Sequence, residues 1–202
     1  DDAGRGIAGT PPAPPAPEDD EAVPMLREAA DQGNMPAQAC CGDLYDFGRG
    51  VAKDDRLAFV YQEKAARQGW AISQVNTGIN YRDGQGCDQS YERAAEWFEK
   101  AAGQRHAGAQ CSLGNLYRHG QGVPQSYERA IELYKQSAEQ GNAIATRNLG
   151  VSYEFGQGVT QDYKEARRLY KLALTRGHAQ AADDLKLLEE KIHTECPLLG
   201  KR

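Results

Sequence analysis

The chain has 202 residues, 40% of them hydrophobic and 26% charged, with a formal net charge of −5. That balance supplies no basic excess to hold phosphates, which argues against nucleic acid as a main partner. No run approaches the ~18 consecutive apolar residues of a membrane-spanning helix.

Residues 1–22 are expected to form a Pro/Ala-rich disordered linker. Pro11, Pro12, Pro14, Pro15 and Pro17 are interspersed there with Ala, Gly and acidic residues, a composition that buries too little apolar area to offset ordering entropy. The sequence opens on Asp1 without an initiator Met, as a processed or trimmed polypeptide would. Such a linker is expected to tether the rest to a signal, an anchor or another domain, a merely frayed terminus being the alternative. A periplasmic or otherwise exported setting is favoured over a cytoplasmic one.

Residues 23–193 are expected to form one repeat array. Pro24 to Gly33 resembles the second half of the units that follow, with Ala29 and Ala30 aligned to Ala65 and Ala66. Four complete units span about 35–70, 71–106, 107–142 and 143–178. Gly42, Gly78, Gly114 and Gly150 stand 36 residues apart, as do Tyr45, Tyr81, Tyr117 and Tyr153, and both glycines of each Gly-x-Gly pair from Gly48 and Gly50 to Gly156 and Gly158. A period of this size marks a solenoid whose units bury their apolar faces against their neighbours. The third unit is the clearest. Ala109, Leu113 and Tyr117 space an amphipathic helix, and Gly120 stops it. Ser126 is placed to cap a second helix carrying Tyr127, Ala130, Ile131, Leu133, Tyr134 and Ala138, which Gly141 ends. Gly114 lies inside the first helix at a cost of about 1 kcal/mol relative to Ala, so the paired helix must approach closely there. Arg105 interrupts the series Gly33, Gly69, Gly141, Gly177. Ala179 to about Ile192 repeats only a first half and is expected to be a capping helix whose outer face carries Asp183, Asp184, Glu189 and Glu190. Residues 194–202 are expected to be a loose tail.

These residues resemble the Sel1-like repeat family, relatives of the tetratricopeptide repeat. The resemblance rests on Ala107, Ala109, Leu113, Gly114, Tyr117, Gly120, Gly122, Val123, Tyr127, Ala130, Tyr134, Ala138 and Gly141, and on their counterparts in the fourth unit, Leu149 to Tyr170. It covers about residues 24–190. The first unit departs with Cys41 for Leu and Asp55 for Tyr, the second with Thr77 for Leu and Cys87 for Val. The resemblance implies an all-α, right-handed α-solenoid of antiparallel helix pairs that works as an adaptor for protein or peptide partners. Secreted relatives with a disulfide in each repeat are not matched, because the cysteines here are not regularly spaced.

Catalytic and metal-binding patterns are sparse. Cys40, Cys41, Cys87, Cys111 and Cys196 show no CxxC spacing and no histidine at a metal-ligand interval, so no metal and no cofactor is expected. The residues read instead as small fillers of repeat slots, Cys41 sharing its slot with Thr77, Leu113 and Leu149. His106 and His178 share a turn slot with Trp70 and Asn142, a structural role. The Gly-x-Gly pairs follow helices rather than strands and lack the third glycine of a dinucleotide loop. Cys111 with His119 is the one candidate nucleophile and base, and eight residues of helical rise separate them by about 12 Å.

By analogy with the family, each first helix lines a concave groove. The partner-binding residues expected there are Phe47 in unit one; Ile72, Val75, Ile79 and Arg82 in unit two; Cys111, Asn115, Arg118 and His119 in unit three; and Arg147, Val151, Glu154 and Phe155 in unit four. Apolar residues among them suggest a protein-binding surface, and Arg82, Arg118 and Arg147 a basic ladder facing a partner's carboxylates. The alternative is burial of part of this face against neighbouring units. The function expected is a non-enzymatic protein–protein interaction module, a bacterial envelope adaptor or an immunity protein neutralising a toxin or effector, acting as a monomer. Two alternatives remain: a hydrolase of cell-wall or β-lactam type, and a self-associating scaffold.

Overall fold

A computed structural model describes residues 22–195. Among them all regular structure is helical: α1 (Ala22–Asp31), α2 (Met35–Phe47), α3 (Asp55–Arg67), α4 (Ala71–Asp83), α5 (Tyr91–Gly103), α6 (Ala107–His119), α7 (Tyr127–Glu139), α8 (Ala143–Phe155), α9 (Tyr163–Thr175) and α10 (Ala181–Glu195). The main contacts join helices consecutive in sequence, closest within the pairs α2–α3, α4–α5, α6–α7 and α8–α9. The result is an α-solenoid. Helix α1 starts at Ala22, inside the segment expected to be linker, and α10 runs through Thr194 and Glu195. The remaining linker and tail residues lie outside the described residues.

Local sequence explains the helix boundaries. The second helix of each pair is N-capped by Asp54, Ser90, Ser126 or Asp162, whose side chain accepts from a backbone N–H of the first turn. Each first helix ends at a left-handed glycine, Gly48, Gly84, Gly120 or Gly156. Asn34, His106 and Asn142 cap first helices through their side chains, whereas Trp70 in the same slot makes no such bond. His106 is therefore a capping residue, its Nδ1 accepting from the Ala109 N–H at 3.3 Å. Arg105 takes φ 63°, the one positive value outside glycine among the described residues; Gly69 and Gly141 hold 96° and 90° in that slot.

The mid-helix glycines receive the paired helix. A Cβ on Gly78 would lie 2.7 Å from the Phe98 ring, and one on Gly114 or Gly150 equally close to Tyr134 or Tyr170. These three rings are fully buried, each worth roughly 2–3 kcal/mol of apolar burial. In the first unit the amide side chain of Gln62 stands where the ring would be. The second glycine of each Gly-x-Gly joins successive units. Gly122 has φ 67°, and a Cβ there would collide with the backbone of Tyr91, where the preceding unit's second helix begins. Cys41, Thr77, Leu113 and Leu149 share one buried slot, as their alignment predicts.

Candidate functional site

All the sequence-selected positions fall on the first helices α2, α4, α6 and α8, but the structure divides them into three groups. Phe47, Ile72 and Phe155 are 61%, 56% and 55% exposed, and Ile144, next to Ala143 at the start of α8, is 50% exposed. His119 is also exposed. The Arg49 guanidinium lies 5.0 Å from the centre of the Phe47 ring, and the Lys191 ammonium 4.9 Å from that of Phe155, so both rings combine an apolar face with a nearby cation.

A second group is buried, which corrects the expectation that it lines an open groove. Val75 packs with Trp97, Phe98 and Leu113 in one core cluster. Cys111 lies with Ile131, Tyr134 and Leu149, and Val151 with Ala166 and Tyr170. Glu154 accepts a hydrogen bond from the Tyr170 hydroxyl at 2.7 Å, and Lys191 Nζ stands 3.7 Å away. Neighbouring helices claim these positions because each first helix is enclosed by its pair-mate and by the adjoining unit. Burial, and secondarily the Glu154 carboxylate, pushes the Tyr170 phenol above its usual range.

The third group is half-buried and engaged within the chain. Asn115 accepts from the Tyr134 hydroxyl at 2.6 Å and from Asn148 Nδ2 at 2.9 Å. Ile79 packs against the core cluster of the second and third units. The expected basic ladder is not free. Arg82 forks onto Asp83 with two bonds of 2.7 Å. Arg118 Nε donates to Gln157 Oε1 at 3.1 Å. Arg147 forks onto Asp184 at 2.5 and 2.8 Å. Asp184 was expected on the outer face of the capping helix; it turns inward instead and ties α10 to α8. Hydrogen bonding to Arg82 holds the Asp83 carboxyl below the usual carboxylate range.

Cys111 and His119 do not make a nucleophile and base. Burial alone pushes the Cys111 thiol up to about 12, which suppresses the reactive thiolate, while His119 is exposed at the helix end. Among the described residues no group of three or more His, Cys, Asp or Glu side chains could hold a metal ion, and no helix is long and apolar enough to cross a membrane.

One feature was missed in the sequence. Gln38, Gln74 and Gln110 are buried on the first helices, and each accepts through Oε1 from the glutamine thirty residues on: Gln68, Gln104 and Gln140, at 2.7–2.8 Å. Gln68 and Gln104 also donate to the carbonyls of Gly33 and Gly69. In the last unit Arg176 takes over, donating to Thr146 Oγ1 and the Ala138 carbonyl. Both glutamine series keep the 36-residue period, so the register that exposed the glycines contained this signal too.

The Sel1 repeat family model matches residues 36–70, 71–106, 107–142 and 143–178. A protective antigen of uropathogenic Escherichia coli with an SLR fold is 34% identical, with a TM-score of 0.77 over 81% of this chain. The chain spans only 35% of that protein's length. A Sel1 repeat protein from Oxalobacter formigenes is 33% identical with a TM-score of 0.70, over 81% of this chain and 72% of its own. The immunity protein Pa5087 from Pseudomonas aeruginosa is 25% identical with a TM-score of 0.53, over 79% of this chain and 59% of its own. No curated protein matches in sequence.

Proposed function

Because this chain belongs to the Sel1 repeat family, a family of protein–protein interaction modules, we propose that it binds a partner protein on the exposed face of its first helices. The observation that carries this reading is the exposure of Phe47, Ile72, Ile144 and Phe155 on helices whose other large apolar residues are packed away. Exposed apolar anchors beside cations suit an interface core with a charged rim. The arginines expected to face a partner's carboxylates are held by Asp83, Gln157 and Asp184. Affinity therefore comes mainly from apolar burial. The narrower proposal is that the partner is a toxin or effector which this chain neutralises, and it draws support from the likeness to the Pseudomonas immunity protein.

The test is affinity capture in the organism that encodes the chain, with Ile72→Asp and Phe155→Asp as controls. A stoichiometric partner is expected with the unaltered chain, weakened by each variant about 30-fold, the range of a 2 kcal/mol hot spot. Circular dichroism establishes that the variants keep their helices. A partner captured equally by both variants would refute the face. If that partner is a toxin, its growth arrest should be relieved by the unaltered chain and not by the variants; persistent arrest would refute the immunity role.

A further inference from the structure

At the junction of the first and second units, a cleft of about 720 Å³ is lined by Arg56, Phe59 and Val60 of α3, Tyr81 of α4, Arg93 of α5 and the turn from Gly84 to Asp88. None of these belongs to the partner-binding face proposed above. Two departures from the repeat remove volume here. Asp55 stands where Tyr91, Tyr127 and Tyr163 open the later second helices, and Cys87 stands in the slot of Val51, Val123 and Val159. The hydroxyls of Tyr91 and Tyr127 accept from Gln89 and Gln125, a latch replaced in the first unit by a 3.2 Å contact between Lys53 and Asp55.

The charge changes with the shape. Arg56 occupies the slot of Glu92 and Glu128, and Val60 that of Glu96 and Glu132. An acidic edge in the second and third units becomes cationic and apolar at this junction. Arg56 and Arg93 are exposed, and neither makes an ion pair among the described residues. Arg129, the counterpart of Arg93, pairs with Glu132 at 2.7 Å. Arg93 instead lies over the Tyr81 ring, 5.4 Å from its centre, and donates to its hydroxyl at 3.4 Å. Phe59 meets Tyr81 edge-on at 5.2 Å and forms the apolar floor. Three carboxylates are close, the first being Asp55, which is paired with Lys53. Asp88 is on the rim, and Glu63, which accepts from the Tyr81 hydroxyl, is paired with Arg67 at 3.2 Å.

We propose that this cleft binds an acidic peptide segment of a partner protein: an Asp or Glu carboxylate held by Arg56 and Arg93, with its apolar neighbour resting on Phe59, Val60 and Tyr81. Guanidinium groups without a carboxylate partner supply charge-assisted hydrogen bonds, and the aromatic floor supplies apolar contact that a free inorganic anion could not use. The corresponding edges of the second and third units present Glu92 and Glu96, and Glu128 and Glu132, to the same carboxylate and repel it, so the site belongs to this junction alone among those three.

Cys87 lines the cleft and Cys40 is exposed elsewhere on α2, so the full chain carries its own probe and reference. The blocked tripeptide acetyl-Leu-Asp-Leu-amide at about 10 mM is expected to slow alkylation of Cys87 roughly fourfold, as a dissociation constant near ~3 mM requires. The rate at Cys40 stays unchanged. The Asn analogue should leave Cys87 unprotected, and so should the Asp peptide acting on an Arg56→Gln/Arg93→Gln variant, compared with and without peptide. Absence of protection, equal protection by the Asn peptide, or protection that survives in the variant overturns the proposal. Equal protection by inorganic phosphate also overturns it, in favour of a simple oxyanion site. Phe155→Asp should retain the protection, which separates this cleft from the first-helix face.

Discussion

Adding one methyl group to Gly114 is expected to destabilise the array even though it improves helix propensity. Ala gains about 1 kcal/mol over Gly inside a helix. Against this, the new Cβ would stand 2.7 and 2.8 Å from Cε1 and Cδ1 of Tyr134, where carbon contacts prefer about 3.5–4.0 Å. The ring must retreat by roughly 1 Å, yet Tyr134 is fully buried and its hydroxyl is anchored to Asn115 Oδ1 at 2.6 Å. Overpacking costs about 1–3 kcal/mol, and a strained or lost hydrogen bond about 1 kcal/mol more. The net loss expected for Gly114→Ala is about 1–3 kcal/mol. Gly42→Ala provides the contrast, since the obstacle there is the buried but unbranched side chain of Gln62, which has more torsions to adjust than a ring, at the cost of its bonds to Asp43 at 2.7 Å and to the Ala39 carbonyl at 3.4 Å. It is expected to cost less than about 1 kcal/mol once the propensity gain is counted. Urea titrations followed by circular dichroism measure both. A neutral or stabilising Gly114→Ala, or a Gly42→Ala that costs as much, would refute the claim that ring packing, rather than the turn, is what requires these glycines.

Three further outcomes are expected. Arg105→Gly relieves a left-handed residue, and after allowing for the greater freedom of Gly in the unfolded chain it should gain about 0.5 kcal/mol and raise the thermal midpoint by roughly 1–2 °C; a lower midpoint would contradict this. Asp184→Asn removes the carboxylate from the partly buried fork with Arg147 and should cost about 1–2 kcal/mol, with hydrogen exchange accelerating first in α10; uniform acceleration along the array would contradict a local role. Stability should also fall at alkaline pH. The folded state holds the Cys111 proton more tightly than the unfolded state, so its contribution is intact below the ordinary thiol pKa of about 8.5 and is lost as pH rises from there toward about 12. Burial of Tyr134 and Tyr170 adds the same trend above about pH 10. Urea midpoints at successive pH values should show a shallower decline in Cys111→Ala, and an identical decline would remove Cys111 as a cause.

The helix pairs, their glycine stops and their caps were legible because each depends on residues within a few positions, repeated at a fixed interval. Ser126 caps α7 and Gly120 ends α6 through bonds that span three or four residues. The close approach at Gly114 was legible too, since a glycine that recurs in mid-helix needs a neighbour to justify it. The exposed face was only partly legible. A helix with 3.6 residues per turn indicates which positions share a side, but it does not indicate where that side is covered. Val75 shares its helix with Ile72, Cys111 with His119, and Val151 and Glu154 with Phe155, yet the adjoining helices bury all four.

Charge was the least legible property, because the partners lie far along the chain. Arg118 and Arg147 look like free cations on their helices until the next unit brings Gln157 and Asp184 to them, 39 and 37 residues away. By itself the 36-residue period determined what each unit must be: two helices, a mid-helix glycine closely approached by the paired helix and a turn seated on its neighbour. Only the stacking of units decided which side chains remain available to another molecule. Burial and ion pairing are set by how close elements come in space, and no single repeat contains that information.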